Sequence, residues 1–180
     1  ASKAGQGWYI PLGHRAGSQL PLEQVLAALR APLTNARIPE IGHHLKYDFI
    51  MLARHGLRVH PLGFDTMLAE WALDPNSRNL GLKNMASVRL GLEMTRIEEL
   101  IGSGKKQVPM SEVNITQAAP YAAADAETVI RLKPLLEKEL AAFPKLVALF
   151  HDMEMPLIAV LADMEMAGIK VDRDVLRGMS

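Results

Sequence analysis

Tyr121 and Asp125 stand four residues apart, with Ala122, Ala123 and Ala124 between them. On a helix this spacing puts both side chains on one face, one turn above the other, and the three alanines leave that face unobstructed. A carboxylate there can hold a hard cation, and a phenol beside it can orient a water. Some seventy residues upstream, Leu45-Lys46-Tyr47-Asp48 places another aspartate in the first turn of a helix. Each residue alone has an ordinary explanation. Asp48 complements a helix dipole, and Asp125 is an exposed aspartate on a helix that starts under a tyrosine. The rest of the chain decides between these readings.

The elements that must position these residues belong to a chain of 180 residues, 49% hydrophobic and 22% charged. That is long enough for one domain with a real core, or for one domain and part of another. Twenty Lys and Arg balance twenty Asp and Glu. Net charge therefore says nothing about nucleic acid, and such a role must rest on local features. Without cysteine there is no disulfide and no thiolate zinc site, so a metal would be held by oxygen or imidazole. No apolar run approaches the roughly 18 residues that cross a bilayer, and Ala1 to Gly5 lacks the apolar core of a signal peptide. The expectation is a cytoplasmic protein with no membrane partner.

Three strands are expected, at Gly7–Leu12, Arg37–His43 and Val59–Phe64. A helix follows Pro21 and stops near Pro32. Another follows the second strand and ends at His55-Gly56. This strand-to-helix switch puts His43, His44, Tyr47 and Asp48 at an edge where open α/β sheets bind ligands. Histidines adjacent in sequence rarely point at one ion, so His43 and His44 read as surface or supporting groups. Asp65 caps the helix Thr66–Leu73, and Leu80 to Gly91 forms a further helix. Gly102-Ser103-Gly104-Lys105-Lys106-Gln107 is a basic loop, either solvated or touching phosphate through Lys105 and Lys106, without the closing spacing of a nucleotide-binding loop. Asn114 to Ala119 forms a short turn that Pro120 separates from the long helix carrying Tyr121 and Asp125. That helix is kinked near Pro134. Pro144 to Ala167 is an apolar helix whose Met and Leu residues are packing surface.

Ile41-Gly42-His43-His44-Leu45-Lys46-Tyr47-Asp48 resembles the second exonuclease motif of family A DNA polymerases of the bacterial DNA polymerase I kind, and Tyr121-Ala122-Ala123-Ala124-Asp125 resembles the third. The Phe64–Leu68, Leu82–Ala86 and Gly102–Gln107 segments match the spacing of that domain. Met153–Leu157 and Met164–Asp172 are similar to the segment leading into the polymerase domain. The resemblance implies an α/β, ribonuclease-H-like fold over residues 1–148 and a helix entering the polymerase domain over 149–180. It also implies 3′→5′ hydrolysis of DNA with two Mg²⁺ or Mn²⁺ ions. Asp125 would be a direct ligand, Asp48 would hold the second ion directly or through water, and Tyr121 would orient the attacking water. Arg78 aligns with a position that contacts the single-stranded 3′ end, and Ile97 with a hydrophobic residue near the terminal bases. His44 stands where the family usually has asparagine, and can still hydrogen-bond a phosphate. The expected partners are a single-stranded 3′ DNA end and, through a monomeric parent polymerase, primer-template DNA. The family's first motif, an Asp-x-Glu pair, is not in this chain, which matches the low strand count and implies little nuclease activity for the chain alone. The alternatives are a vestigial domain that braces a polymerase and a stand-alone 3′→5′ ribonuclease.

Overall fold

The computed structural model describes residues 1–179; Ser180, the last residue of the expected 149–180 segment, lies outside the described residues. The chain is helix-rich around one small parallel sheet. Helix α1 (Leu22–Leu33) precedes strand β1 (Glu40–Gly42), which crosses over through α2 (Leu45–Arg54) to β2 (Leu62–Asp65). The strands pair in parallel, Ile41 opposite Phe64 and Gly42 opposite Asp65. From β2 the chain enters α3 (Thr66–Leu73) directly. Then come α4 (Leu82–Met85), a π turn at Ala86–Leu90, α5 (Ile97–Ile101) and the long α6 (Ile115–Ala141). The C-terminal run is α7 (Pro144–Leu149), a second π turn (Phe150–Glu154), α8 (Met155–Ala167) and α9 (Arg173–Met179).

The core lies between β2 and the helices α3, α6 and α8. Leu132, Leu136 and Leu140 recur every four residues along α6 and bury one stripe of it. They meet Phe64 of β2, Ala69 and Ala72 of α3, and Phe150, Met155 and Ile158 from the C-terminal run. The rings of Phe64 and Phe150 lie 5.0 Å apart at 50°, and each buried aromatic contributes about 1.5–3 kcal/mol through burial. Phe49 and Ile50 of α2 pack with Ala162 of α8 in a smaller cluster. The C-terminal run beginning near residue 149 is thus built into the same core as the residues before it.

Gly7–Leu12, expected as a strand, forms none. Among the described residues no strand lies beside it to complete a hydrogen-bonded ladder, and Trp8 is 63% exposed. Instead the segment lies along α6. Gly7 rests on Ala123 so closely that a Cβ there would stand 2.7 Å from the Ala123 carbonyl oxygen. Around it, Gly5 N–H donates to Glu127 Oε1 (2.6 Å), and His14 Nδ1 donates to the Val113 carbonyl (3.0 Å) while its Nε2 accepts from the Tyr9 hydroxyl. The break expected at Pro120 is absent as well, because α6 runs unbroken through it. The carbonyl that loses its donor belongs to Thr116, an exposed residue, so water can satisfy it. The helices α5 and α9 have no counterpart in the sequence expectations, and the π turns at Ala86–Leu90 and Phe150–Glu154 interrupt the helices expected over Leu80 to Gly91 and Pro144 to Ala167. The other two strands are shorter than expected, at three and four residues.

Candidate active site

The site is organised by Asp65, the last residue of β2. It is 1% exposed. Its Oδ1 accepts from the backbone N–H groups of Met67 (2.9 Å) and Leu68 (3.4 Å), capping α3, and from His44 (3.1 Å). Its Oδ2 accepts from Leu45 N–H (2.7 Å). One buried carboxylate therefore ties the N-termini of α2 and α3 together and satisfies donors that neither helix can satisfy internally. Thr66 adds a second tie, donating to the Gly42 carbonyl (3.2 Å) and hydrogen-bonding His43 Nδ1 (2.9 Å). To enter α2 the chain turns through a left-handed residue, His44, at φ 61° and ψ 48°. Asparagine and histidine are among the non-glycine residues enriched in that conformation. A histidine therefore fits this position.

Beyond this junction opens a cleft of about 530 Å³, lined by Ile41, Gly42 and His43 from β1 and its end, Asp48 from α2, Leu82 and Lys83 from α4, and Tyr121, Ala122 and Asp125 from α6. The structure thus brings Asp48, Tyr121 and Asp125 to one cavity. Desolvation in the cleft, and then the negative charge of Asp65, push the Asp48 carboxyl above the ordinary 3.8, against a smaller opposing effect of His44. Asp48 nevertheless stands exposed at the mouth, so solvent screening moderates that shift. The Tyr121 phenol is raised above the ordinary 10.0 by burial and then by the charges of Asp125 and Glu98, and it stays protonated at neutral pH. His43 is lowered below 6.5 because burial outweighs the carboxylates of Asp65 and Asp125.

Lys83 completes the cleft. Its ammonium forms an ion pair with Asp125 Oδ1 and lies 4.2 Å from the centre of the Tyr121 ring. The sequence reading did not single it out. The available signal was a cation in the first turn of a helix, where the dipole disfavours it unless an anion faces it. His43, not His44, lines the cavity. His44 lines a separate pocket with Lys46, Asp65 and Met67, and its ring meets Tyr47 edge-on at 6.5 Å. Ile97 lines a pocket of about 300 Å³ beside the cleft, sharing Lys83 and Tyr121 with it. Arg78 is exposed in the loop after α3, and Lys105 and Lys106 are exposed in a 3₁₀ turn at Gly104–Lys106; none of the three lines a cavity described here.

The donors that could hold a metal are the carboxylates of Asp48 and Asp125. In kind they suit a hard divalent ion such as Mg²⁺ or Mn²⁺. In number they are few. Among the described residues no three His, Asp or Glu side chains cluster as a ligand set, and Lys83 engages one of the two carboxylates.

A family model described as a 3′-5′ exonuclease, of the DNA polymerase A type, matches residues 1–141. The chain belongs to this family. DNA polymerase I of Chloroflexus aurantiacus is 44% identical over 94% of the chain, and that of Pseudomonas aeruginosa 36% identical over 98%. The chain spans about a fifth of these relatives, 18% and 20% of their lengths. A structure described as the POL domain of Pol1 from M. smegmatis, in complex with DNA primer-template and dNTP, superposes with a TM-score of 0.68 at 28% identity, covering 89% of this chain and 24% of that one. Brucella melitensis NrnC with bound Mg²⁺ superposes at 0.56 with 24% identity, covering 78% of this chain and 65% of that one. That second likeness concerns the fold, which is ribonuclease-H-like and α/β. Among the described residues no helix is long and apolar enough to cross a membrane.

Proposed function

We propose that the cleft is the working face of a metal-dependent 3′→5′ exonuclease acting on a single-stranded 3′ DNA end. In the longer polymerase of which residues 149–180 would form the entry segment, it would serve proofreading. The observation that carries this reading is the convergence of Asp48, Tyr121 and Asp125 on one cavity, in a chain of this family. Asp125 and Asp48 would hold a divalent ion, which lowers the pKa of a water and stabilises the attacking and leaving oxygens at the terminal phosphate. Tyr121, protonated and on the same face as Asp125, orients that water by accepting or donating one hydrogen bond. Ile97, in the adjoining pocket, offers an apolar surface to the terminal base. Arg78, His44, Lys105 and Lys106 offer positive or hydrogen-bonding contacts to the phosphates behind it. A two-ion site, cytoplasmic location and a monomeric parent handling primer-template DNA complete the proposal.

A second reading, a domain that braces a polymerase without turnover, is favoured by the Lys83–Asp125 ion pair and the absence of a three-ligand cluster among the described residues. The two separate on titrating the 180-residue chain with Mn²⁺ and incubating it with a 5′-labelled single-stranded oligonucleotide. The exonuclease reading predicts Mn²⁺ binding that Asp125→Asn removes, with slow or undetectable hydrolysis by two carboxylates alone. It also predicts shortening from the 3′ end in a longer chain that carries an Asp-x-Glu motif, abolished by Asp125→Ala. The absence of Asp125-dependent metal binding would favour the bracing role.

A further inference from the structure

We propose that Lys83 is the resident counter-cation of Asp125, displaced when a divalent ion binds, so that it sets the metal affinity of the cleft. This positioning role rests on the exonuclease reading above. The Lys83 ammonium contacts Asp125 Oδ1 directly, and it is the only cation paired with that carboxylate among the described residues. The Tyr121 ring, 4.2 Å from the same nitrogen, holds the ammonium from a second side. Both partners are largely shielded, with side-chain exposures of 24% for Lys83 and 30% for Asp125. The pair therefore lies on the residue that would ligate metal, inside the cavity that would receive it.

An ammonium and a divalent ion cannot share one carboxylate oxygen without strong repulsion, because both need the same lone pairs and carry like charge. Lysine is suited to leave. Its flexible four-carbon stem moves a compact charge without moving the backbone. It also has somewhere to go, because Lys83 lines the adjoining pocket of about 300 Å³ together with Arg96, Ile97 and Glu98, where the Glu98 carboxylate can receive it. The exchange makes and breaks no covalent bond: Lys83 remains protonated and one cation replaces another on Asp125. With metal absent, Lys83 holds Asp125 and Tyr121 in register. With metal present, the ammonium faces the side of the cleft where Ile97 lies.

The test is Mn²⁺ affinity, by electron paramagnetic resonance of free Mn²⁺ at constant pH and ionic strength, in the 180-residue chain. Removal of a partly exposed competing ion pair is expected to tighten binding about two- to fivefold in Lys83→Met. Lys145→Met, the same charge change on α7 outside the cleft, is expected to leave affinity unchanged. Lys83→Arg, which keeps the cation, is expected to bind no tighter than wild type. Because a folded variant is needed, the ¹⁵N resonance of the Lys83 side chain in the unmutated protein is followed during Mg²⁺ titration, and displacement predicts a shift that saturates with metal. Asp125-dependent Mn²⁺ binding of equal or weaker affinity in Lys83→Met, with an unmoved Lys83 resonance, overturns this proposal and leaves the exonuclease reading standing. The loss of Asp125-dependent binding in every variant overturns both.

Discussion

Asp65 and Asp125 show two uses of one side chain. Asp65 is buried, and its oxygens accept four backbone N–H groups at the meeting point of α2, α3 and β2. Asp125 is half-buried on the face of one long helix, and its partner is a single flexible lysine. A carboxylate saturated by backbone donors has no lone pair to offer a ligand and holds the scaffold together. One whose partner can swing away is available to a cation. Asp65 fixes the junction of α2, α3 and β2 beside the cleft, and Asp125 lines the cleft itself.

The sharpest way to break this contrast is to remove each carboxylate. Asp65→Ala leaves four N–H groups, that of buried Leu45 among them, without their acceptor, and is expected to cost about 3 kcal/mol or more, read as a large fall in thermal midpoint. Asp125→Asn, which breaks only a partly exposed ion pair, is expected to cost no more than about 1 kcal/mol while abolishing Mn²⁺ binding. Equal losses of stability from the two would erase the distinction. Gly7→Ala probes the other side of α6. A methyl there meets the Ala123 carbonyl oxygen at 2.7 Å, so a destabilisation of about 1–3 kcal/mol is expected, with exchange of the Gly5 amide accelerated. His44→Val, forced into a left-handed backbone, is expected to cost about 1–2 kcal/mol, whereas His44→Asn is expected to be neutral by denaturant titration.

The smallest effect concerns Glu40, at the start of β1. Burial pushes its carboxyl above the ordinary 4.5. A carboxyl raised in the folded state stabilises the fold below its unfolded value and loses that contribution as pH rises through the folded value. Glu40→Gln is therefore expected to raise the thermal midpoint at neutral pH, with the advantage shrinking as pH falls toward and below 4.5. A constant advantage at every pH would contradict the burial argument.

The long helix and its chemical face were legible because Tyr121, Asp125 and the Leu132–Leu136–Leu140 stripe carry helical spacing. The capping role of Asp65 was legible because an aspartate directly precedes an apolar helical run. Its second role, holding α2, was not, because no local pattern announces a hydrogen bond to residues 44 and 45. Gly7–Leu12 has the composition of a strand, yet a strand exists only where a neighbour offers hydrogen bonds. Pro120 reads as a breaker, yet the orphaned carbonyl faces water and the helix continues. Lys83 stayed hidden because its meaning depends on Asp125, 42 residues away. Adjacent histidines read as surface or supporting groups because they rarely point at one ion; after the left-handed turn at His44, His43 lines the cleft and hydrogen-bonds Thr66 while His44 lines a separate pocket.

The most direct test of the cleft is paramagnetic line broadening by substoichiometric Mn²⁺ in ¹⁵N-labelled protein. Amides of residues 42–48 and 121–126 are expected to broaden first, and Asp125→Asn to remove the effect. Broadening centred elsewhere, or unchanged in Asp125→Asn, would contradict that expectation.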